Sequence, residues 1–167
     1  MENNITVNME NLSEEERDQL IRLIQKSNGS KGRVWKPDYR RKYFYVNECG
    51  GIMNSKWYDD SIDADRYEIG NCFKTKEEAE FTLEKLKVEA ELRRFAEKNN
   101  ECEFDWKDKK QEKWFIFYNC KEEIINPIYV YDFCICNIYF TSKEIAKQAI
   151  DYIGEERLKK YYFGIED

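Results

Sequence analysis

Residues 75–98 read TKEEAEFTLEKLKVEAELRRFAEK, a stretch with the periodicity of one long helix. Thr75 opens it and Glu78 follows three residues later, the spacing at which a threonine hydroxyl and a glutamate cap each other's backbone amides. Ala79, Leu83, Leu86 and Ala90 then recur at steps of four, three and four. At roughly 100° per residue they fall within about 60° of one another. Phe81, Val88, Leu92 and Phe95 form a second stripe, roughly 180° away by the same arithmetic. A helix that covers one small sheet needs one apolar stripe. Two stripes predict structure on both sides: a first sheet under one, and a second module or an amino-terminal helix under the other. Asn99 and Asn100 end the stretch.

The segment before this helix alternates strand and turn signals. Lys42 to Asn47 (KYFYVN) is a strand by β propensity. Cys49-Gly50-Gly51 is a turn, since glycine supplies positive φ. Ile52 to Tyr58 is the return strand, Asp59 to Asp65 (DDSIDAD) an acidic loop, and Arg66 to Phe73 a third strand. The segment after the helix repeats the order. Trp35-Lys36 matches Trp106-Lys107 and Lys42-Tyr43-Phe44 matches Lys113-Trp114-Phe115, both 71 residues apart. Phe73 matches Phe140, Thr75 matches Ser142 and Ala79 matches Ala146, all 67 apart, so the second copy is shorter by four residues where the first has its acidic loop. The pattern reads as a duplicated βββα unit; the alternative is two similar meanders drawn from common strand vocabulary. Ile145, Ala146, Ala149, Ile150 and Ile153 give the second helix a wide apolar stripe that Gly154 breaks. A short final helix follows, carrying Leu158, Tyr161, Tyr162 and Phe163 toward the core.

Residues 1–30 form an arm. Ile5, Val7 and Met9 alternate with polar residues as in a half-buried strand. Ser13 and Glu16 make a second capping box, and Glu14 to Glu16 lie where the helix dipole favours negative charge. Leu20, Ile21, Leu23 and Ile24 give that helix an apolar side, Asn28 and Gly29 stop it, and Ser30 to Gly32 link it onward. The expected fold class is therefore α+β. An amino-terminal strand–helix arm and linker (1–32) precede two tandem βββα modules (33–100 and 101–167) with antiparallel sheets.

Composition bounds the function. Of 167 residues, 41% are hydrophobic and 16% aromatic, enough to build a core despite 37% charged residues. The net charge of −6 argues against broad DNA binding, which needs clustered Lys and Arg, and suits a basic partner. The chain has no histidine, which removes Ser-His and Cys-His dyads and the commonest mixed zinc sites. Neither GxxxxGK[ST] nor GxGxxG is present, so both standard phosphate cradles are absent. The six cysteines make no CxxC, and Cys134 and Cys136 share a face of an expected strand, where core packing is the ordinary role. No apolar run spans a bilayer and the amino terminus is polar and acidic, which predicts a cytoplasmic protein with reduced thiols. No enzyme activity, metal or cofactor is expected.

Two constellations stand out. Asp59, Asp60, Asp63 and Asp65 lie together, with Trp57 and Tyr58 just before them. The plain reading is a solvated turn whose aspartates cap amides, with Arg66 pairing one of them; the sharper reading is an anionic surface offered to a basic partner. A cation site is the third alternative, although an EF-hand would need a different spacing. Tyr39, Arg40, Arg41 and Tyr43 interleave basic and aromatic residues, as a nucleotide contact does, or as a strand entrance with solvated cations does.

A resemblance rests on Trp35-Lys36-Pro37, Tyr43-Phe44-Tyr45-Val46, Trp57, Asp65-Arg66-Tyr67 and Gly70-Asn71-Cys72-Phe73-Lys74-Thr75-Lys76-Glu77-Glu78-Ala79-Glu80. With the ending Ile153 to Glu156 and Tyr161 to Gly164, it covers most of residues 33–167. The pattern resembles a module common in phage and prophage accessory proteins of Gram-positive bacteria, a label that carries no known chemistry. The second copy departs from it at Asn137 to Phe140. The resemblance implies a non-enzymatic inhibitor, anti-CRISPR-like, in the cytoplasm of the bacterial host. It would bind and block a host defence protein or ribonucleoprotein by presenting an acidic surface to a nucleic-acid-binding site, with no sequence-specific DNA binding of its own. The alternative is a small-molecule module that sequesters a nucleotide signal.

Overall fold

The structure is a computed structural model that describes residues 12, 13, 15–17, 19, 20, 23, 35–132 and 138–165. The expected strand at Ile5 to Met9, the linker at Ser30 to Gly32, and Cys134 and Cys136 lie outside these. The described residues are mixed α+β, with two small antiparallel two-stranded sheets. The described residues divide into two compact units, one up to Glu80 and the other from Phe81. The division falls inside the long helix. Near the amino terminus, residues 15–17, 19 and 20 are helical. Ser13 and Glu16 close their capping box, with Glu16 N donating to Ser13 Oγ and Ser13 N to Glu16 Oε2.

In the first unit, β1 (Lys42–Val46) pairs antiparallel with β2 (Ile52–Lys56). Asn47 shapes the turn: its Oδ1 accepts from Gly51 N at 2.6 Å and Cys49 N at 3.0 Å. The acidic stretch after β2 is helical. Helix α1 (Ser61–Glu68) starts at Asp60, whose side chain caps Asp63 N. Clustered aspartates suit the positive end of a helix as well as they suit a loop. The expected loop at 59–65 and the start of the expected third strand at Arg66 are thereby overturned. The chain leaves α1 through Gly70 at φ 74°, with Asn71 N bonded to Arg66 O and Gly70 N to Tyr67 O, a Schellman closure. What remains of the third strand is one bridge, Phe44 to Phe73. Beside it, the Asn71 side-chain amide bonds Val46 N and Val46 O, both at 2.8 Å, taking the place of a strand's backbone.

Helix α2 (Lys76–Asn99) begins at the expected capping box, with Glu78 N donating to Thr75 Oγ1 at 3.2 Å and Lys74 N to Glu78 Oε2 at 2.8 Å. Its two stripes fare differently. Val88, Leu92 and Ala96 are buried. On the opposite stripe Ala79 is buried, but Leu86 is 54% exposed, so that face is not covered along its length.

In the second unit, β3 (Lys113–Asn119) pairs antiparallel with β4 (Ile124–Val130). Trp114 bridges to Phe140, and Ser142 then caps α3 (Lys143–Ile153) by accepting from Ile145 N. All five predicted stripe residues of α3 are buried. They form one core with Val88, Leu92, Ala96, Ile116, Ile125, Ile138 and Phe140. After Gly154 a helical turn (Glu155–Arg157) runs into a π-helical turn (Leu158–Tyr162), and Leu158 is fully buried. Arg157 ties this segment to α2 through two bonds to Glu91, at 2.9 and 3.2 Å.

Each hairpin thus has one bridge beside it, Phe44 to Phe73 or Trp114 to Phe140, and a side-chain-capped helix after the bridge. The bridging residues are Phe44 and Trp114, so the position matching Tyr43 is Lys113, one residue away from the sequence alignment. Both are fully buried. Lys113 Nζ is held by the carbonyl oxygens of Asp108, Gln111 and Tyr131, each at 3.1 Å, and lies 5.2 Å from the Trp106 ring centroid.

Candidate functional site

The first unit carries both constellations that the sequence singles out, and it brings them together. Tyr43 is the only buried residue of β1, and its hydroxyl donates to Asp63 Oδ1 at 2.6 Å. Tyr58 N donates to Asp63 Oδ2 at 2.6 Å. Arg66 Nη1 donates to the Tyr43 hydroxyl oxygen at 2.9 Å, and the guanidinium lies 3.6 Å from the Tyr45 ring centroid. Asp63 is thus a buried anion with a partner on each oxygen, which is the condition for a carboxylate to be stable inside. Burial, and then the bond to Asp63, push the Tyr43 hydroxyl up to about 12, with Arg66 acting in the opposite direction. Tyr43 therefore keeps its proton, and its hydrogen bond to Asp63, at any physiological pH.

Three of the residues expected on a contact surface are inside. Tyr43 and Asp63 belong to the network just described. Trp57 is 3% exposed and packs edge-on against Tyr43 and Tyr67, at centroid distances of 5.9 and 6.0 Å. The reason is the antiparallel register, which turns Tyr43 and Trp57 to the same side of the hairpin, where α1 covers them.

The other named residues form a rim. Tyr58 is half-exposed and meets Tyr39 edge-to-face, centroids 6.1 Å apart. The Arg40 guanidinium lies 5.6 Å from the Tyr39 ring centroid. Arg41 is exposed and its carbonyl accepts from Trp57 N. Asp59, Asp60 and Asp65 are exposed; Asp60 caps α1, and Asp59 lies 3.4 Å from Lys36 Nζ. Arg40 and Asp59 both hold left-handed backbone, at φ 61° and 59°. That conformation is unfavourable for side chains other than Gly, Asn and Asp, and it collects at functional turns.

Sequence reasoning missed Lys36 and Tyr67, which complete this surface, because nothing in their spacing joins them to Trp57. It also missed that Asp60 and Asp63, three residues apart, open a helix, since clustered aspartates suit a loop as well. Among the described residues no three of His, Cys, Asp and Glu stand together as metal ligands. Cys49, Cys72, Cys102 and Cys120 are free thiols, and burial pushes Cys72 up to about 11, away from thiolate reactivity. No helix among the described residues is long and apolar enough to cross a membrane. A separate concavity of about 650 Å³ in the second unit is lined by Tyr118, Glu123, Glu155, Glu156, Lys159 and Lys160 among others, with charges of both signs. No family model, curated protein or solved structure matches the chain.

Proposed function

We propose that the chain is a non-catalytic binding protein of the phage accessory kind, acting in the bacterial cytoplasm. On this reading it grips a basic surface of a host defence protein or ribonucleoprotein and blocks it. The observation that supports the reading best is the half-exposed Tyr58, with acidic Asp59 and Asp60 beside it in the chain and its backbone amide fastened to buried Asp63. An aromatic anchor with a charged rim is the composition of interface hot spots. The acidic rim raises the association rate with a basic partner, and the rigid base lowers the ordering cost of binding. The two hairpin–bridge–helix units are, on the same reading, tandem copies of one duplicated element. The first copy gained α1 and with it the contact surface. The nucleotide-sequestering alternative ranks second because Tyr43, one of its four residues, is buried.

The test is capture of the tagged chain from defence-carrying host cells, followed by titration of the captured partner. Asp59→Asn, Asp60→Asn and Asp65→Asn together with Tyr58→Ala should weaken binding at least tenfold, about 1.4 kcal/mol. Asparagine keeps the cap at position 60, so the fold should persist. Undiminished binding at low salt by this variant refutes the surface.

A further inference from the structure

Lys36 occupies a corner built for an organic cation. Its Nζ lies 4.9 Å from the Trp57 ring centroid, 5.6 Å from that of Tyr67, and 3.4 Å from Asp59 Oδ1. The two rings stand at 76° to each other and form two walls; the carboxylate is the third. Two π faces and one anion are the chemistry that recognises ammonium groups. The Trp57 wall is fixed. Trp57 is wedged against Tyr43, its amide bonds Arg41 O, and its carbonyl accepts from Arg40 N. Asp59 holds left-handed backbone, a conformation aspartate tolerates, and its carboxylate meets the Lys36 ammonium from there.

The occupant, by contrast, is exchangeable. The Lys36 side chain is 50% exposed and its carboxylate partner 68% exposed. An exposed ion pair of this kind adds little stability, and a lysine stem swings easily between water and a surface. The corner therefore holds its own ammonium loosely against a rigid Trp57 ring.

We propose that this corner receives the ammonium group of a lysine on a protein partner, and that Lys36 is an internal stand-in which the partner displaces. The proposal rests on the partner-binding reading above and names the chemistry that its acidic rim accepts. A primary ammonium already fills the corner, and the neighbouring Asp60 extends the negative charge toward a basic protein surface rather than toward a small free cation.

The test follows the Trp57 indole N–H by NMR in the purified chain, with N-acetyl-lysine methylamide and choline chloride as probes. Lys36→Ala should bind the lysine amide saturably and roughly fivefold or more tighter than the parent, which has to release Lys36 first. Adding Asp59→Asn to that variant should weaken binding by a similar factor. Should Lys36→Ala fail to fold, Lys36→Gln keeps the stem and serves in its place. Absence of saturable binding, or binding indifferent to Asp59→Asn, overturns the proposal. Saturable binding of choline without the lysine amide also overturns it, in favour of a free quaternary ammonium ligand. No partner is present in this assay, so its failure leaves the capture experiment standing. Failed capture beside saturable probe binding would count against the host target alone.

Discussion

The Tyr43 hydroxyl donates to Asp63 Oδ1 across 2.6 Å, joining β1 to α1 through two fully buried polar groups. Everything exposed around Tyr58 depends on that link, because the second oxygen of Asp63 holds the Tyr58 amide.

Asp63→Ala should destabilise the chain by roughly 3–5 kcal/mol, since it takes the acceptor from the buried Tyr43 hydroxyl and from the part-buried Tyr58 amide and removes a residue of the first helical turn. Tyr43→Phe should cost less, about 1–3 kcal/mol, because one donor is lost while Asp63 keeps its other bonds. Urea unfolding of the two variants ranks them. A cost for Asp63→Ala within about 0.5 kcal/mol of zero, the range of surface changes, would remove Asp63 from the core.

The same pair sets an alkaline limit. Tyr43 loses its proton at about 12 in the folded chain, against 10.0 for an unperturbed tyrosine. A raised folded value means that the folded state holds its proton longer. The contribution is complete below pH about 10 and is lost as pH rises from about 10 through about 12. Stability should fall over that interval, and Tyr43→Phe should flatten that part of the slope. Parallel slopes for parent and variant would contradict the assignment.

Lys113→Met should cost roughly 2–4 kcal/mol despite its apolar replacement, because three carbonyl oxygens lose the ammonium they share. Methionine matches the stem's length, so lost packing is not the cause. If thermal unfolding shows Lys113→Met as stable as the parent, the amine is dispensable to the turn between residues 105 and 111.

The two faces of α2 should respond differently. Leu92 is 1% exposed and Leu86 is 54% exposed. Leu92→Ala should cost roughly 2–5 kcal/mol and Leu86→Ala less than about 0.5 kcal/mol. Equal costs would mean that both stripes are packed, as the sequence alone suggests.

Glu91 is held below the usual carboxylate range by its bond to Arg157, which outweighs the opposing effect of burial, with the positive charges of Arg157, Arg94 and Lys87 adding to the lowering. A depressed folded value contributes stability that is present above the unfolded value, about 4.3, and is lost as pH falls through the folded one. Both side chains are partly exposed, so the pair is worth at most about 1 kcal/mol and is weakened by salt. Arg157→Ala should lower the midpoint slightly at pH 7, and the difference should shrink as acid protonates Glu91. An effect undiminished in acid would locate the loss in packing instead.

The long helix, its capping box, both hairpins and the apolar stripe of α3 were legible in the sequence, because each rests on spacing within a few residues. A helix repeats at 3.6 residues and a strand at two whatever surrounds it. What lay between β2 and α2 was not legible. Aspartates serve loops and helix starts alike, and only the packing of Tyr43 and Trp57 against α1 selects between them. Tertiary structure alone also decided that Asp63 lies inside and that Asn71 stands in for a strand. It decided, too, that the second unit places Lys113 where the first places Tyr43, and that Lys36 reaches Trp57 and Tyr67 across 21 and 31 positions of sequence. Such contacts join residues with no periodic relation, so local spacing carries no trace of them. The composition without histidine, by contrast, constrained the chemistry before any fold was known, because a missing side chain is missing in every conformation.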